Sequence, residues 1–182
     1  ISSGDESFRP VNLFNGPDGA VYVADMHRGV VEHRAFATPY YRSQIGRKKL
    51  DTILHKGRIL RIKNKNKKLS ELPELTAASG AELVALLKSA NGWVRDRAQQ
   101  MLIFKQQRSV VPELERLSLD SKNPVTAIHA LHTLDGMNAL SFDFLLKAAA
   151  SADPMLAAHA LILLEKYASG ERIQSMSSLV TH

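Results

Sequence analysis

Asp25-Met26-His27-Arg28 comes directly after Ala20–Ala24, an apolar run that reads as a buried strand. Glu32, His33 and Arg34 follow closely and make the neighbourhood densely polar. Loops held by a rigid sheet are common places for functional side chains. A His–Asp–Arg set can bind an anion or move protons. The same set serves equally well as a buried, ion-paired anchor for a long loop, and both readings stand on the sequence.

Further histidines lie in the second half of the chain. His129 and His159 occupy the same position of a repeat, and Arg97 fills the third equivalent position. No carboxylate is placed to complete a metal site, so repeat usage explains them better than zinc ligation. His132 lies three residues after His129 on the same helix. Trp93 opens a helix at an expected core-facing position and reads as packing. Glu113 and Glu115 point to different helix faces and form no carboxylate dyad. The chain has no Gly-rich phosphate loop and no G-x-S-x-G elbow. It has no cysteine, which excludes disulfides, thiolate metal sites and covalent c-type haem attachment within it.

The net charge is +6, and it is concentrated. Residues 42–68 carry Arg42, Arg47, Lys48, Lys49, Lys56, Arg58, Arg61, Lys63, Lys65, Lys67 and Lys68 against the single acid Asp51. Such a run can meet phosphates or an acidic partner, but a solvated linker explains it more simply. No aromatic residues are interleaved through Lys56–Lys68 to stack on bases, which argues against nucleic acid. No apolar stretch reaches the ~18–20 residues of a membrane span. The chain opens at Ile1 without an initiator Met or a signal peptide, and is expected to be a processed product or part of a longer polypeptide.

The elements that position these groups fall into two kinds. Phe8–Phe14 and Ala20–Ala24 flank the turn formers Asn15-Gly16-Pro17-Asp18-Gly19 and read as a hairpin. Residues 26–56 read as a long irregular excursion, and Gly57–Ile62 as a third strand. Three strands make a poor free-standing sheet, because their edges leave backbone groups unpaired. From residue 80 the chain repeats. Asn91–Leu102, Asn123–Leu134 and Asp153–Leu164 align without gaps at a period of about 30–32 residues, in the helical-solenoid range. Each opens on an N-cap residue, and Pro124 and Pro154 follow at the first helical position. Ala98, Ala130 and Ala160 coincide, as do Leu102, Leu134 and Leu164, on one face. Partner helices are expected at Ala81–Ser89, Val110–Leu119, Ala139–Ala150 and Glu171–Leu179, antiparallel to their neighbours because the loops are short. The expected architecture is α+β, a β piece and then an all-α part: residues 1–63 as sheet with its excursion, 64–79 as a basic polar linker, 80–182 as helical repeats.

The run Phe8-Arg9-Pro10-Val11-Asn12-Leu13-Phe14-Asn15-Gly16-Pro17-Asp18-Gly19-Ala20-Val21-Tyr22-Val23-Ala24-Asp25-Met26-His27-Arg28-Gly29-Val30-Val31-Glu32-His33 carries a family signature. It resembles the closing part of the six-bladed β-propeller of glucose/sorbosone-dehydrogenase-like proteins, in particular the large bacterial "membrane-bound dehydrogenase" group. Thr38-Pro39-Tyr40-Tyr41, Arg47-Lys48-Lys49-Leu50-Asp51 and Gly57–Ile62 fit the same group. Ile128–Gly136 is similar to the HEAT-type repeats that follow the propeller there. The likeness runs from residue 8 to about residue 165.

This resemblance implies an extracytoplasmic protein, periplasmic or secreted. It implies a propeller related to quinoprotein sugar dehydrogenases that bind pyrroloquinoline quinone (PQQ) and Ca²⁺, often followed by a haem c domain that takes the electrons. This chain matches only about one blade, and has no C-x-x-C-H motif. Relatives often have Asp where Asn12 stands, and Tyr where His27 stands. The resemblance nominates Arg9, Asp25, His27 and Arg28 as pocket-side cofactor contacts. No cofactor is expected within this chain alone, and no metal ligand is named. Its expected partners are the remaining propeller blades or another chain completing the sheet, and a cytochrome c domain or other protein on the solenoid. The expected role is to close the propeller of a quinone-dependent sugar or alcohol dehydrogenase-like protein and provide a helical scaffold. The alternative is a non-catalytic protein-binding module.

Overall fold

The computed structural model describes residues 2–120 and 122–167. Their architecture is α+β, with a three-stranded antiparallel sheet and seven α-helices among the described residues. The chain divides between Leu72 and Pro73 into two compact units.

The first unit holds β1 (Pro10–Asn15), β2 (Val21–Asp25) and β3 (Arg58–Ile62), in that order across the sheet. Gly16 N–H donates to the Ala20 carbonyl (2.7 Å), and the Asp18 carboxylate accepts from Ala20 N–H (3.0 Å). Gly19 takes the left-handed φ of 79° that the turn needs, where a side chain would be strained. The turn sets the register, aligning Leu13, Val23 and Leu60 across the three strands. A bulge between Pro10 and Asn12 precedes the regular ladder. Ala20–Ala24 is less buried than its composition suggests. Ala20 and Val23 are buried, but Val21, Tyr22 and Ala24 keep partial exposure because little packs on the second face.

The excursion after β2 is not irregular throughout, as its composition suggested. It contains α1 (Pro39–Lys48). Thr38 caps this helix by accepting from Tyr41 N–H (3.2 Å), Pro39 follows, and Lys49 ends it in the left-handed region at φ 52°. The helix buries no residue, so it has no apolar stripe for a periodicity argument to detect. Short 3₁₀ turns at Arg34–Phe36 and Leu50–Thr52 flank it. Gly29 lies so close to the backbone of Leu50 that even a methyl group there would overlap it.

The second unit begins in the expected linker. Ser79 and Glu82 form a reciprocal capping box at the start of α2 (Gly80–Leu86). Then follow α3 (Gly92–Lys105), α4 (Val111–Asp120), α5 (Pro124–Gly136), α6 (Phe142–Ala149) and α7 (Pro154–Leu164). Asn91, Asn123 and Asp153 cap α3, α5 and α7 through their side-chain oxygens at 2.9–3.0 Å. The helix expected at Glu171–Leu179 lies outside the described residues.

Helices α2 and α3, α4 and α5, and α6 and α7 pack as pairs, and α3, α5 and α7 stack in series. Ala98, Ala130 and Ala160 are fully buried, as are Leu102, Leu134 and Leu164. The small residue admits the neighbouring helix, and the leucine fills the space beside it. Trp93 is not a core residue: it is half-buried, with the Arg97 guanidinium 5.7 Å from its ring centroid. Its neighbour Val94 takes the buried position.

Ala130→Leu is therefore expected to destabilise the helical unit by about 1–3 kcal/mol in urea unfolding. Phe104→Ser, at a site 83% exposed, is expected to change stability by less than about 0.5 kcal/mol.

Candidate functional site

The strongest polar convergence in the first unit is built on Asp25, the last residue of β2. Its side chain is fully buried, and each oxygen is engaged. Oδ1 accepts from the backbone N–H of Arg9 (2.7 Å) and of His27 (2.9 Å). Oδ2 accepts from Arg58 Nε on β3 (2.7 Å). Arg58 also donates through Nη2 to Asp5 Oδ2 (3.1 Å). One carboxylate thus ties the approach to β1, the exit from β2 and the start of β3.

Burial alone would raise the Asp25 carboxyl. The N–H groups of Arg9 and His27, with the Arg58 guanidinium, more than reverse that, and it lies below the usual carboxylate range. A carboxylate held ionised by three donors, with its pKa lowered, is a poor general base.

His27 is placed by this arrangement. Its φ of 43° is left-handed, unusual for a residue with a side chain, and the Asp25–His27 N–H bond holds it there. Its Nδ1 is buried without a hydrogen bond, 3.5 Å from Asp5 Oδ2 and 3.9 Å from Asp25 Oδ2. Of the four nominated residues, His27 is the one with a buried ring nitrogen that makes no hydrogen bond.

Arg9 contributes its backbone N–H, while its guanidinium turns back to the Phe8 carbonyl (3.1 Å). Arg28 is exposed and makes no hydrogen bond or ion pair among the described residues. Glu32 and His33 are also exposed and do not join the cluster; His33 Nδ1 accepts from Ala35 N–H (3.3 Å). Sequence reasoning missed Asp5 and Arg58. The register carried the signal for Arg58, since β3 pairs with β2 so that Arg58 stands opposite Asp25. Nothing in the sequence ties Asp5 to Arg58.

A shallow groove of about 370 Å³ borders the cluster, lined by Val11, Ala24, Asp25, Met26, Gly57, Arg58 and Ile59. Asp25 and Arg58 give its wall a carboxylate and a guanidinium already paired with each other. A second hollow, of about 300 Å³, lies within the excursion between Glu32, Arg42 and Asp51.

The basic run is partly consumed internally. Lys48 pairs with Glu6, Arg58 with Asp5 and Asp25, and Arg61 with Asp18 at 3.4 Å. Lys63, Lys65, Lys67 and Lys68 are exposed and form no ion pair among the described residues.

His129 and His159 do not meet each other. His129 Nδ1 bonds Gln99 Oε1 on α3 (2.7 Å), and His159 Nδ1 bonds His132 Nε2 on α5 (2.9 Å). Among the described residues no three His, Asp or Glu side chains converge as metal ligands. No helix of the described residues is long and apolar enough to cross a membrane.

Residues 1–66 match a family described as a domain of unknown function, DUF7133. The match takes in all three strands and every residue of the Asp25 cluster. No curated protein and no solved structure matches the chain.

Two pH responses are expected. The Asp25 carboxyl is lower in the folded state than in the unfolded chain, so its contribution is complete above about pH 4 and is lost as pH falls through the folded value. Asp25→Asn should remove that acid dependence and speed hydrogen exchange of the β2 and β3 amides roughly tenfold or more at neutral pH. Burial, first among the causes, lowers His129 and His132 below the ordinary imidazole value. The unfolded chain therefore binds more protons below about pH 6.5, and thermal midpoints should fall by a few degrees between pH 7.5 and 5.5. His132→Gln should flatten that slope.

Proposed function

We propose that this chain is part of an extracytoplasmic protein resembling quinone-dependent sugar or alcohol dehydrogenases. In this reading residues 1–63 close a β-propeller, and residues 80–182 form a HEAT-like scaffold for an electron acceptor or partner protein. The observation that carries it is the uncovered sheet. Every residue of β1 is exposed, and Val11, Leu13, Phe14 and Ile59 are each more than half exposed. A strand with so much apolar surface at a sheet edge needs neighbours. A propeller supplies them as further blades.

The residues present do not fit a quinone or Ca²⁺ contact at Asp25, because both its oxygens already accept protein donors. PQQ and Ca²⁺ would then be held by other blades, and haem c by a separate domain. Within this chain Asp25 positions: it fixes the loop that carries His27 and Arg28 at the end of β2. His27 Nδ1 lies beside the Asp5 and Asp25 carboxylates at that loop, 3.5 and 3.9 Å away.

A second reading, a non-catalytic docking module, is favoured by the unpaired lysines at 63–68. Binding of an acidic protein through them would weaken steeply as salt rises.

The redox reading is tested on the longer polypeptide supplied with PQQ and Ca²⁺. Sugar- or alcohol-dependent dye reduction is expected, and its absence would reject this reading. The incomplete-sheet premise is tested separately: residues 8–63 alone should lack a dispersed amide spectrum, and a compact monomer would contradict it.

A further inference from the structure

The sheet has two edges, β1 and β3, and they are not equally open to pairing. Ladder hydrogen bonds in an antiparallel pair alternate along each strand. The bond from Gly16 N–H to the Ala20 carbonyl sets the phase, so Phe14 and Asn12 bond β2 through Tyr22 and Ala24. Leu13 and Asn15 therefore turn their backbone groups outward. The Leu13 N–H is already taken, because it donates to the side-chain oxygen of Asn12 (2.8 Å). The bulge between Pro10 and Asn12 interrupts the same edge. On the other side, Val21, Val23 and Asp25 serve β3 through Ile62, Leu60 and Arg58. Ile59 and Arg61 then point their N–H and C=O groups away from the sheet, and no hydrogen bond among the described residues engages them. Ile59 is also 74% exposed. Lys56 and Lys63, exposed and without ion pairs among the described residues, stand at the two ends of this edge.

We infer that β3 is the edge on which the sheet grows, and that its occupant is one extended strand of the longer polypeptide, with an apolar residue beside Ile59 and a carboxylate at each end. Main-chain bonds to Ile59 and Arg61 hold that strand. Its apolar residue covers Ile59, and its carboxylates answer Lys56 and Lys63. The same charges argue against a second copy of this chain. Pairing β3 with its own copy, in either direction, sets lysine against lysine at both ends. The inference deepens the incomplete-sheet half of the proposed function, rests on it, and makes no use of the quinone half.

The test compares amide hydrogen exchange, read residue by residue by fragment mass spectrometry, in the 182-residue chain and in the longer polypeptide. Ile59 and Arg61 are expected to exchange at least about 100-fold more slowly in the longer polypeptide, and Asn15 to change less than about threefold. Lys56→Glu combined with Lys63→Glu should reduce that protection about fivefold or more, and leave the circular dichroism of the 182-residue chain unchanged. Protection of Asn15, alone or together with Ile59 and Arg61, would overturn the choice of a single edge. No protection at either edge would overturn the added strand. Undiminished protection in the double variant would overturn the acidic assignment. Protection already present in the 182-residue chain, and lost on dilution, would overturn the proposal in favour of a second copy. Dye reduction is measured separately, and its failure leaves these amides unaffected.

Discussion

A single ionised carboxylate organises the strand-bearing unit. Asp25 lies away from water with both oxygens engaged: two backbone N–H groups and one guanidinium converge on it. Those donors come from segments far apart in sequence, and none of them is otherwise fixed by a thick apolar core. The sheet has only three strands, so its ladder alone would be marginal. Burial of the charge is tolerated because its partners arrive together. The left-handed backbone at His27 and the placement of β3 beside β2 both follow from it. Asp18 does related work at the other end of β2, accepting from Ala20 N–H and from the Tyr22 hydroxyl (3.1 Å), with Arg61 opposite.

The helical unit follows a different rule. Its core is apolar and shared along the stack, and its polar side chains do local work: caps at Ser79, Asn91, Asn123, Ser141 and Asp153, and the histidine clasps between successive helices. Each helix covers the previous one and exposes the same face again, so stability accrues by nearest neighbours. The clasps add direction to a stripe that would otherwise permit sliding by a turn.

Much of this was legible in the residues. The caps, the prolines after them and the coinciding alanines and leucines located α3, α5 and α7 to within a few positions, because capping and burial act locally. The hairpin was legible from its turn formers. Helix α1 was not, since Thr38-Pro39 announces it but no apolar periodicity supports it. The Asp25 cluster was legible in part: Asp25 and His27 stand next to each other in sequence, but Arg58 and Asp5 arrive through strand pairing and loop closure. Arg9 enters through its main chain, an interaction that side-chain identity cannot announce.

The near-contact of Gly29 with Leu50 cinches the excursion at its neck. What lies between those two residues is therefore a cassette closed at its base. Lengthening such a loop costs little in closure entropy, because the ends are already brought together. A loop of another length would stand on the same base without disturbing the strand pairing below.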